Sequence, residues 1–248
     1  MKKLLIVLAI LAGAGLVGVA VMSFFLGNVV TAGVNRFGPN ITQTKVTLSS
    51  ATISPLTGSG ALHGLVVGNP KGWSAANLCS LGKVHLSVKP FSIFGDHIVI
   101  DEIDVEEPEF NYETKFVASN VADLLKNIEQ VTGGSDAAKA TAKNGQPIKF
   151  EVKKFRLHNG WVRLGVGPAA MKLPMPPIAL DNLGTSEGGI TSDQLAFAIM
   201  RSVTPGIVSA TTEAIGKLGG TAGAATAEGV KQIGAGIKGL FGGDKKKP

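Results

Sequence analysis

The feature that constrains this chain most is a stretch, Gly64–Tyr112, in which apolar and polar residues alternate twice. The first alternating segment is Lys83–Lys89, and the second carries its apolar residues at Ile98, Ile100, Ile103 and Val105. Successive side chains of a β-strand point to opposite faces, so this period of two gives each strand one apolar and one polar face. Pro90 and Pro108 mark the places where the two strands must end.

The same alternation returns later in the chain. Apolar residues occur at Ile148, Phe150 and Val152, and a one-residue shift at Lys154 predicts a bulge. Asn159-Gly160 is a strong hairpin signal and predicts that Phe155–Leu157 pairs with Trp161–Leu164. Leu173–Leu180 contains three prolines, which confine it to an edge strand or a loop.

The distribution of charge argues against a nucleic acid as the partner. The net charge is +6, but five positive charges belong to the chain ends, at Lys2, Lys3 and Lys245 to Lys247. The body is therefore close to neutral, and no basic patch with interleaved aromatic residues is present for a nucleic acid to stack on. With aromatic residues at only 6%, the core must be built from Val, Ile, Leu and Ala.

The N-terminus carries a membrane signal. Lys2 and Lys3 precede an uncharged apolar run, Leu4–Leu26, and about 20 helical residues cross a bilayer core. We expect residues 1–27 to be a retained transmembrane anchor, with a signal peptide cleaved near Gly18-Val19-Ala20 as the alternative. The positive flank predicts a single-pass protein of the inner membrane, with the remainder of the chain in the periplasm.

Two helical regions are predicted. Residues 119–131 show apolar side chains at helical spacing, with Ser119 or Asn120 as the cap. Residues 191–241 form a C-terminal helical region that is rich in Gly and Ala beyond Pro205, which is expected to interrupt it, and residues 242–248 form a basic tail. Interior glycines weaken a helix by about 1 kcal/mol each, so this Gly/Ala-rich helix needs a surface to lie on, such as a membrane interface, a partner helix or the sheet.

No constellation in the sequence indicates catalysis or metal binding. The four histidines are dispersed, and Cys79 has no neighbouring base, so it is interpreted as a small semi-buried residue. The acidic residues of 101–109 mostly alternate with apolar ones, which is typical of the solvated face of a strand. We therefore expect no enzyme activity, no cofactor and no metal.

These patterns together predict a mainly β (α+β) fold. Its centre is a curved antiparallel sheet or β-groove in residues 41–185, with the helix of residues 119–131 inserted. An N-terminal transmembrane helix precedes this domain and the Gly/Ala-rich helix follows it.

Within this domain the order of turns and strands resembles the AsmA-like family, whose members include TamB and YhdP. The resemblance covers roughly residues 40–112, with weaker echoes at 148–166. It is carried by Leu65–Trp73 with its Asn69-Pro70-Lys71-Gly72-Trp73 turn, Leu81–Val88, Phe91–Phe94 and Ile98–Phe110. The resemblance implies an antiparallel β-groove whose apolar face carries phospholipid acyl chains.

The leading hypothesis is therefore a membrane-anchored envelope protein that binds or shields lipid chains, in lipid transport or envelope biogenesis. The expected partners are membrane lipid and the inner membrane, with no nucleic acid. The predicted lining residues are Val84, Leu86, Val88, Ile98, Ile100, Ile148, Phe150 and Val152. The alternative is a structural or assembly subunit of an envelope complex. In that case the sheet is an ordinary core, and the Gly-rich helix mediates oligomerisation.

Overall fold

A computed structural model of the chain describes residues 2–115, 118–132, 145–165, 167, 170–186 and 188–218, with side chains described as far as residue 214. The described residues form three α-helices: α1 (Lys2–Thr42), α2 (Asn120–Thr132) and α3 (Ser192–Leu218). The strands are β1 (Val46–Thr47), β2 (Ser50–Ile53), β3 (Ser59–Gly68), β4 (Asn77–Val88), β5 (His97–Glu106), β6 (Glu109–Tyr112), β7 (Thr114–Lys115), β8 (Ala118–Ser119), β9 (Lys149–His158), β10 (Trp161–Leu164), β11 (Met171–Pro174) and β12 (Ile178–Leu183).

The fold is α+β, with a mixed sheet that curls into a half-barrel. Its strand order is β11-β10-β6-β4-β5-β9-β12, and β3 adds β1 and β2 beside β4. The two ends of this order, β11 and β12, come from the proline-containing segment that was predicted to lie at an edge. The curved sheet and the long apolar N-terminal helix confirm the predicted fold class.

The predicted hairpin at Asn159-Gly160 is wrong. β9 pairs in parallel with β5, and β10 pairs in parallel with β6, so β9 and β10 do not pair with each other. Throughout both ladders each residue is matched with the residue 52 positions further on, from His97↔Lys149 to Tyr112↔Leu164. The kinked pair of strands β9–β10 thus lies parallel to the kinked pair β5–β6, in one continuous register. The sheet is therefore mixed, whereas an all-antiparallel sheet was predicted.

The two kinks have the same backbone geometry. Glu107 and Asn159 both adopt φ of 54°, and the amide of Trp161 donates to the carbonyl of Pro108 across the kink at 2.8 Å. Gly82 of β4 lies beneath the first kink, where a Cβ would come within 2.8 Å of the Glu106 carbonyl oxygen. The kinks bend the strands and so help the sheet to curl.

Helix α1 is longer than the predicted 1–27 segment. It continues to Thr42 because residues after Leu26 pack along β1 and β2, and Pro39 is tolerated near its end. The side chain of Asn35 holds the backbone of Leu48 through two hydrogen bonds, of 2.6 and 3.1 Å. The first part of the predicted 41–185 β domain consequently contains only two short strands before β3, namely β1 and β2.

Helices α2 and α3 pack against each other over the sheet. α2 matches the predicted 119–131 helix, and the Ser119 hydroxyl caps it by accepting from the Ala122 amide at 3.2 Å. α3 continues through Pro205, which was expected to interrupt it, because Val203 and Ile207 are buried in the core on either side. Residues 133–144, residues 219–241 of the predicted C-terminal helical region and the 242–248 tail lie outside the described residues.

Candidate functional site

The predicted lining residues share one apolar face of the curled sheet. Across β4 and β5 the ladder matches Val84 with Val105, Leu86 with Ile103, and Val88 with Ile100. Across β5 and β9 it matches Ile98 with Phe150 and Ile100 with Val152. Ile148 falls just before β9, two residues from Phe150. The structure therefore brings seven of the eight into one ladder system and places the eighth at its margin.

Burial divides these eight residues into two groups. Val84, Val88, Ile100 and Val152 are core residues, and Val152 is 0% exposed. Leu86, Ile98, Ile148 and Phe150 are only half-buried. Val203 and Ile207 of α3 belong to the same core. Part of the apolar face is thus an ordinary hydrophobic core, and the remainder is incompletely covered.

Along β5 and β9 the half-buried lining residues, Ile98, Ile148 and Phe150, lie towards one end of the sheet. We name the anchor end as the end formed by Ile53, Ser59, Val88, His97 and Lys149, which successive ladder pairings place side by side. Along β9, burial increases away from this end: Ile148 and Phe150 are half-buried, whereas Val152, Phe155 and Leu157 are buried. On β9 the apolar face is therefore more accessible at the anchor end, whereas on β4 the anchor-end residue Val88 is buried at 3% exposure.

Helix α1 leaves the domain at this same end. Gly38 lies against Val46, Asn35 bonds to Leu48, and Gly27 lies against Ala51, so α1 runs antiparallel to β1 and β2. Residues N-terminal to Leu26 are almost all exposed. Their 18-residue window has a mean hydropathy of 2.8 with none of it buried, which makes α1 long and apolar enough to cross a membrane.

The opposite face of the sheet is polar and carries several ion pairs. Lys153 contacts Asp101 at 2.6 Å, Arg156 contacts Asp181 at 2.7 Å, and His158 contacts Asp104 at 3.0 Å. A hollow of about 340 Å³ lies beside these charges, lined by Glu102, Asp104, Arg156, Leu157, His158, Pro177, Ile178 and Ala179. The acidic run is thus part of a solvated face, as predicted from its alternation.

Comparison with protein-family models, with curated proteins and with solved structures gave no match.

The Asn69–Trp73 turn is held by a buried polar cluster that the sequence did not reveal. Glu113 is 5% exposed and accepts hydrogen bonds from the amides of Ala75 at 2.7 Å and Ser74 at 2.9 Å. It also accepts from the Asn69 side chain at 2.8 Å. Burial of the carboxylate raises its pKa, but these hydrogen bonds outweigh that effect and hold the pKa of Glu113 below its usual value.

Asn120 joins this cluster to the start of α2. Its side chain is 0% exposed, accepts from the Glu113 amide at 3.0 Å and donates to Asn69 Oδ1 at 3.0 Å. Trp73 extends the contact by donating its Nε1 hydrogen to Asp123 at 2.8 Å. The turn that carries the AsmA-like resemblance is therefore a structural clamp between the sheet and α2, far from the anchor end.

Cys79 is buried on β4 at 5% exposure. Burial raises the pKa of its thiol to about 12, although a hydrogen bond with the Val67 backbone acts in the opposite direction. At pH 8 almost none of the thiol is then ionised, and the thiolate is the nucleophilic form. This environment supports the sequence interpretation of Cys79 as a packing residue.

We expect Cys79 in the folded full-length chain to react with a maleimide at pH 8 at least about 100-fold more slowly than in the denatured chain. Both burial and the raised pKa act in this direction. Stopped-time labelling followed by intact-mass measurement would give the two rates. Comparable rates in the folded and denatured chains would show that β4 opens readily or that the thiol is accessible.

Proposed function

We propose that this chain is a membrane-anchored envelope protein whose curled sheet binds or shields lipid acyl chains. In this proposal α1 spans the inner membrane with Lys2 and Lys3 in the cytoplasm, and the sheet domain lies in the periplasm. The observation that carries the proposal is the coincidence of two features at one end of the sheet. The half-buried residues Ile98, Ile148 and Phe150 lie there, and the apolar helix leaves the domain there.

The physical reason is the accessibility of the apolar surface to lipid. Ile98, Ile148 and Phe150 expose apolar area next to the place where α1 would enter the bilayer. Covering such a surface with an acyl chain removes it from water, which is favourable by about 25 cal/mol per Å². An acyl chain can reach it from the membrane without crossing the polar outer face. The AsmA-like resemblance predicts the same ligand and stays a prediction.

The test is lipid retention by the full-length chain. The protein is purified in detergent, and its retained phospholipid is measured by native mass spectrometry and by extraction. We expect the wild-type chain to retain phospholipid and Phe150→Gln to retain several-fold less, because a polar amide in the lining disfavours an acyl chain. Val99→Gln is the matched control. Val99 alternates with Ile98 and Ile100, so its side chain points to the polar face.

Two results would contradict lipid binding by this face. The first is a wild-type chain without retained lipid, and the second is an equal loss in both variants. The assembly alternative is tested in parallel by truncation after Leu218, since residues as far as Ala210 belong to the core and cannot be removed safely. A fall in oligomeric mass with lipid retained would assign assembly to residues 219–248 and leave the lipid proposal intact.

A further inference from the structure

Two neighbouring turns at the anchor end expose large apolar side chains. Leu56, in the turn between β2 and β3, is 65% exposed, and Phe91 and Phe94, in the turn between β4 and β5, are 76% and 56% exposed. We call these three residues the apolar tip. Outside α1, the other exposed large apolar residues in the described part of the chain are Trp161 and Met171, at only 36% and 37%.

The apolar tip is rigidly built. The Val88 amide donates to the Gly58 carbonyl at 2.9 Å, which ties the two turns together. Gly58 has φ of 73° and leaves no room for a Cβ, which would come within 1.7 Å of the Val88 carbonyl oxygen. The Ser92 hydroxyl donates to the Lys89 carbonyl at 2.8 Å and accepts from the Val99 amide at 3.2 Å. The apolar side chains are therefore displayed on a fixed frame.

Phe91 adopts a backbone conformation that is unfavourable for an aromatic residue. Its φ is 70°, in the left-handed region where Gly, Asn and Asp are the residues normally found. Phe91 adopts this conformation although its ring contributes little to the core and is mostly exposed. An exposed aromatic ring on a strained turn indicates a role in contact with something outside the domain.

The position of α1 identifies that contact. Gly27 lies level with Ala51 and Thr52, and α1 continues past this level into its exposed apolar part. The chain from Thr52 to Leu56 reaches at most about 13 Å further in the same direction. Because a helix rises about 1.5 Å per residue, the same distance along α1 includes Phe24 and Phe25, which are 76% and 60% exposed.

We propose that the apolar tip inserts into the surface of the membrane that α1 crosses. This inference depends on the proposed membrane anchor and goes beyond it, because it assigns a second membrane contact to the sheet domain. Aromatic side chains favour the membrane–water interface, and the exposed Lys89 beside Phe91 suits anionic lipid headgroups. With two contacts, α1 and the apolar tip, the domain has a fixed orientation that presents the open end of its apolar face to lipid.

The test uses the full-length chain reconstituted into vesicles of phosphatidylcholine and phosphatidylglycerol, with or without bromine on the acyl chains. Phe91→Trp places a fluorophore in the apolar tip, and bromine quenches it only at close range. The natural Trp161 and Trp73 lie about 25 Å or more towards the other end of the sheet and report background. Thr114→Trp, an exposed position at that far end, is the matched control.

We expect the tryptophan at position 91 to lose most of its emission in brominated vesicles and to emit at shorter wavelength, whereas Thr114→Trp keeps its emission. Phe94→Trp provides a second variant if Phe91→Trp folds poorly. Vesicle flotation is measured in parallel. Absence of flotation would overturn the anchor itself. Flotation without quenching at positions 91 and 94 would overturn only the insertion of the apolar tip. The same conclusion would follow from a blue shift that disappears on dilution, because a second copy of the chain would then be covering the apolar tip.

Discussion

The Glu113→Ala variant is expected to unfold with a free energy about 3–5 kcal/mol lower than that of the wild-type chain. Removing the carboxylate leaves the amides of Ser74 and Ala75 without their acceptor in a buried site, and leaves the Asn69 side-chain amide with only the Ala75 carbonyl. Each unpaired buried donor costs about 1–3 kcal/mol. The clamp between the Asn69–Trp73 turn and α2 should loosen as a result.

Chemical denaturation of the full-length chain in detergent, followed by circular dichroism, gives this free energy. Glu109→Ala is the matched control, since Glu109 is a third exposed and contacts Arg163 and Lys172 only at 3.5 and 3.8 Å. Its loss should cost at most about 1 kcal/mol. Equal losses in the two variants would show that the Glu113 cluster is no more important than a surface ion pair.

The same cluster makes stability depend on pH. Because the pKa of Glu113 is lowered in the folded chain, its stabilisation is present above the usual glutamate pKa of about 4.3 and is lost as pH falls through the lower folded value. The wild-type chain should therefore lose stability in this acid range more steeply than Glu113→Gln. Denaturation series at several pH values would measure the two slopes.

The sequence predicted elements well where local pattern decides structure. The period of two in Lys83–Lys89 and at Ile98–Val105 is realised in β4 and β5, with the apolar residues on one face. The shift predicted at Lys154 is also present. Ile100 pairs with Val152 and Ile103 with Phe155. In both strands two residues, Asp101-Glu102 in β5 and Lys153-Lys154 in β9, therefore separate consecutive residues of the apolar face, where regular alternation has one.

Strand partners could not be predicted from such local signals. Asn159-Gly160 has the composition of a tight hairpin turn, yet the strand after it continues beside β6. The preference of an Asn-Gly pair for positive φ is satisfied in a kink as well as in a hairpin, and here Asn159 has φ of 54°. The sequence held one related clue, the weaker echo of the AsmA-like resemblance at 148–166, and the strands of that segment pair with those of residues 97–112 at the 52-residue offset.

The shared apolar face of the eight lining residues could be predicted from the sequence, whereas the exposure of each residue could not. Strand parity is sufficient to place Val84, Ile98 and Phe150 on one face. Which of these side chains are buried depends on where α3 packs. The position of α3 is a feature of the tertiary structure and cannot be predicted from the alternation of residues along a strand. The buried roles of Glu113 and Asn120 were missed for the same reason, since their partners are distant in sequence.

The Gly27→Leu variant should separate α1 from the sheet domain. A Cβ at position 27 would come within 2.1 Å of the Ala51 carbonyl oxygen, and because that atom is backbone, no side-chain rotation relieves the clash. We expect a destabilisation of about 3 kcal/mol, at the upper end for overpacking, and faster hydrogen exchange in β1 and β2. Gly33→Leu is the matched control on the same helix, because nothing lies within 4 Å of its Cβ position.

This variant also tests whether α1 sets the height of the domain above the bilayer. The apolar run of α1 is unchanged, so vesicle flotation of Gly27→Leu should equal that of the wild-type chain. If packing of α1 along β2 holds the apolar tip at the lipid surface, a tryptophan at position 91 should lose its quenching by brominated lipid in the Gly27→Leu background and keep it in the Gly33→Leu background. Undiminished quenching with Gly27→Leu would mean that the tip finds the membrane without help from α1.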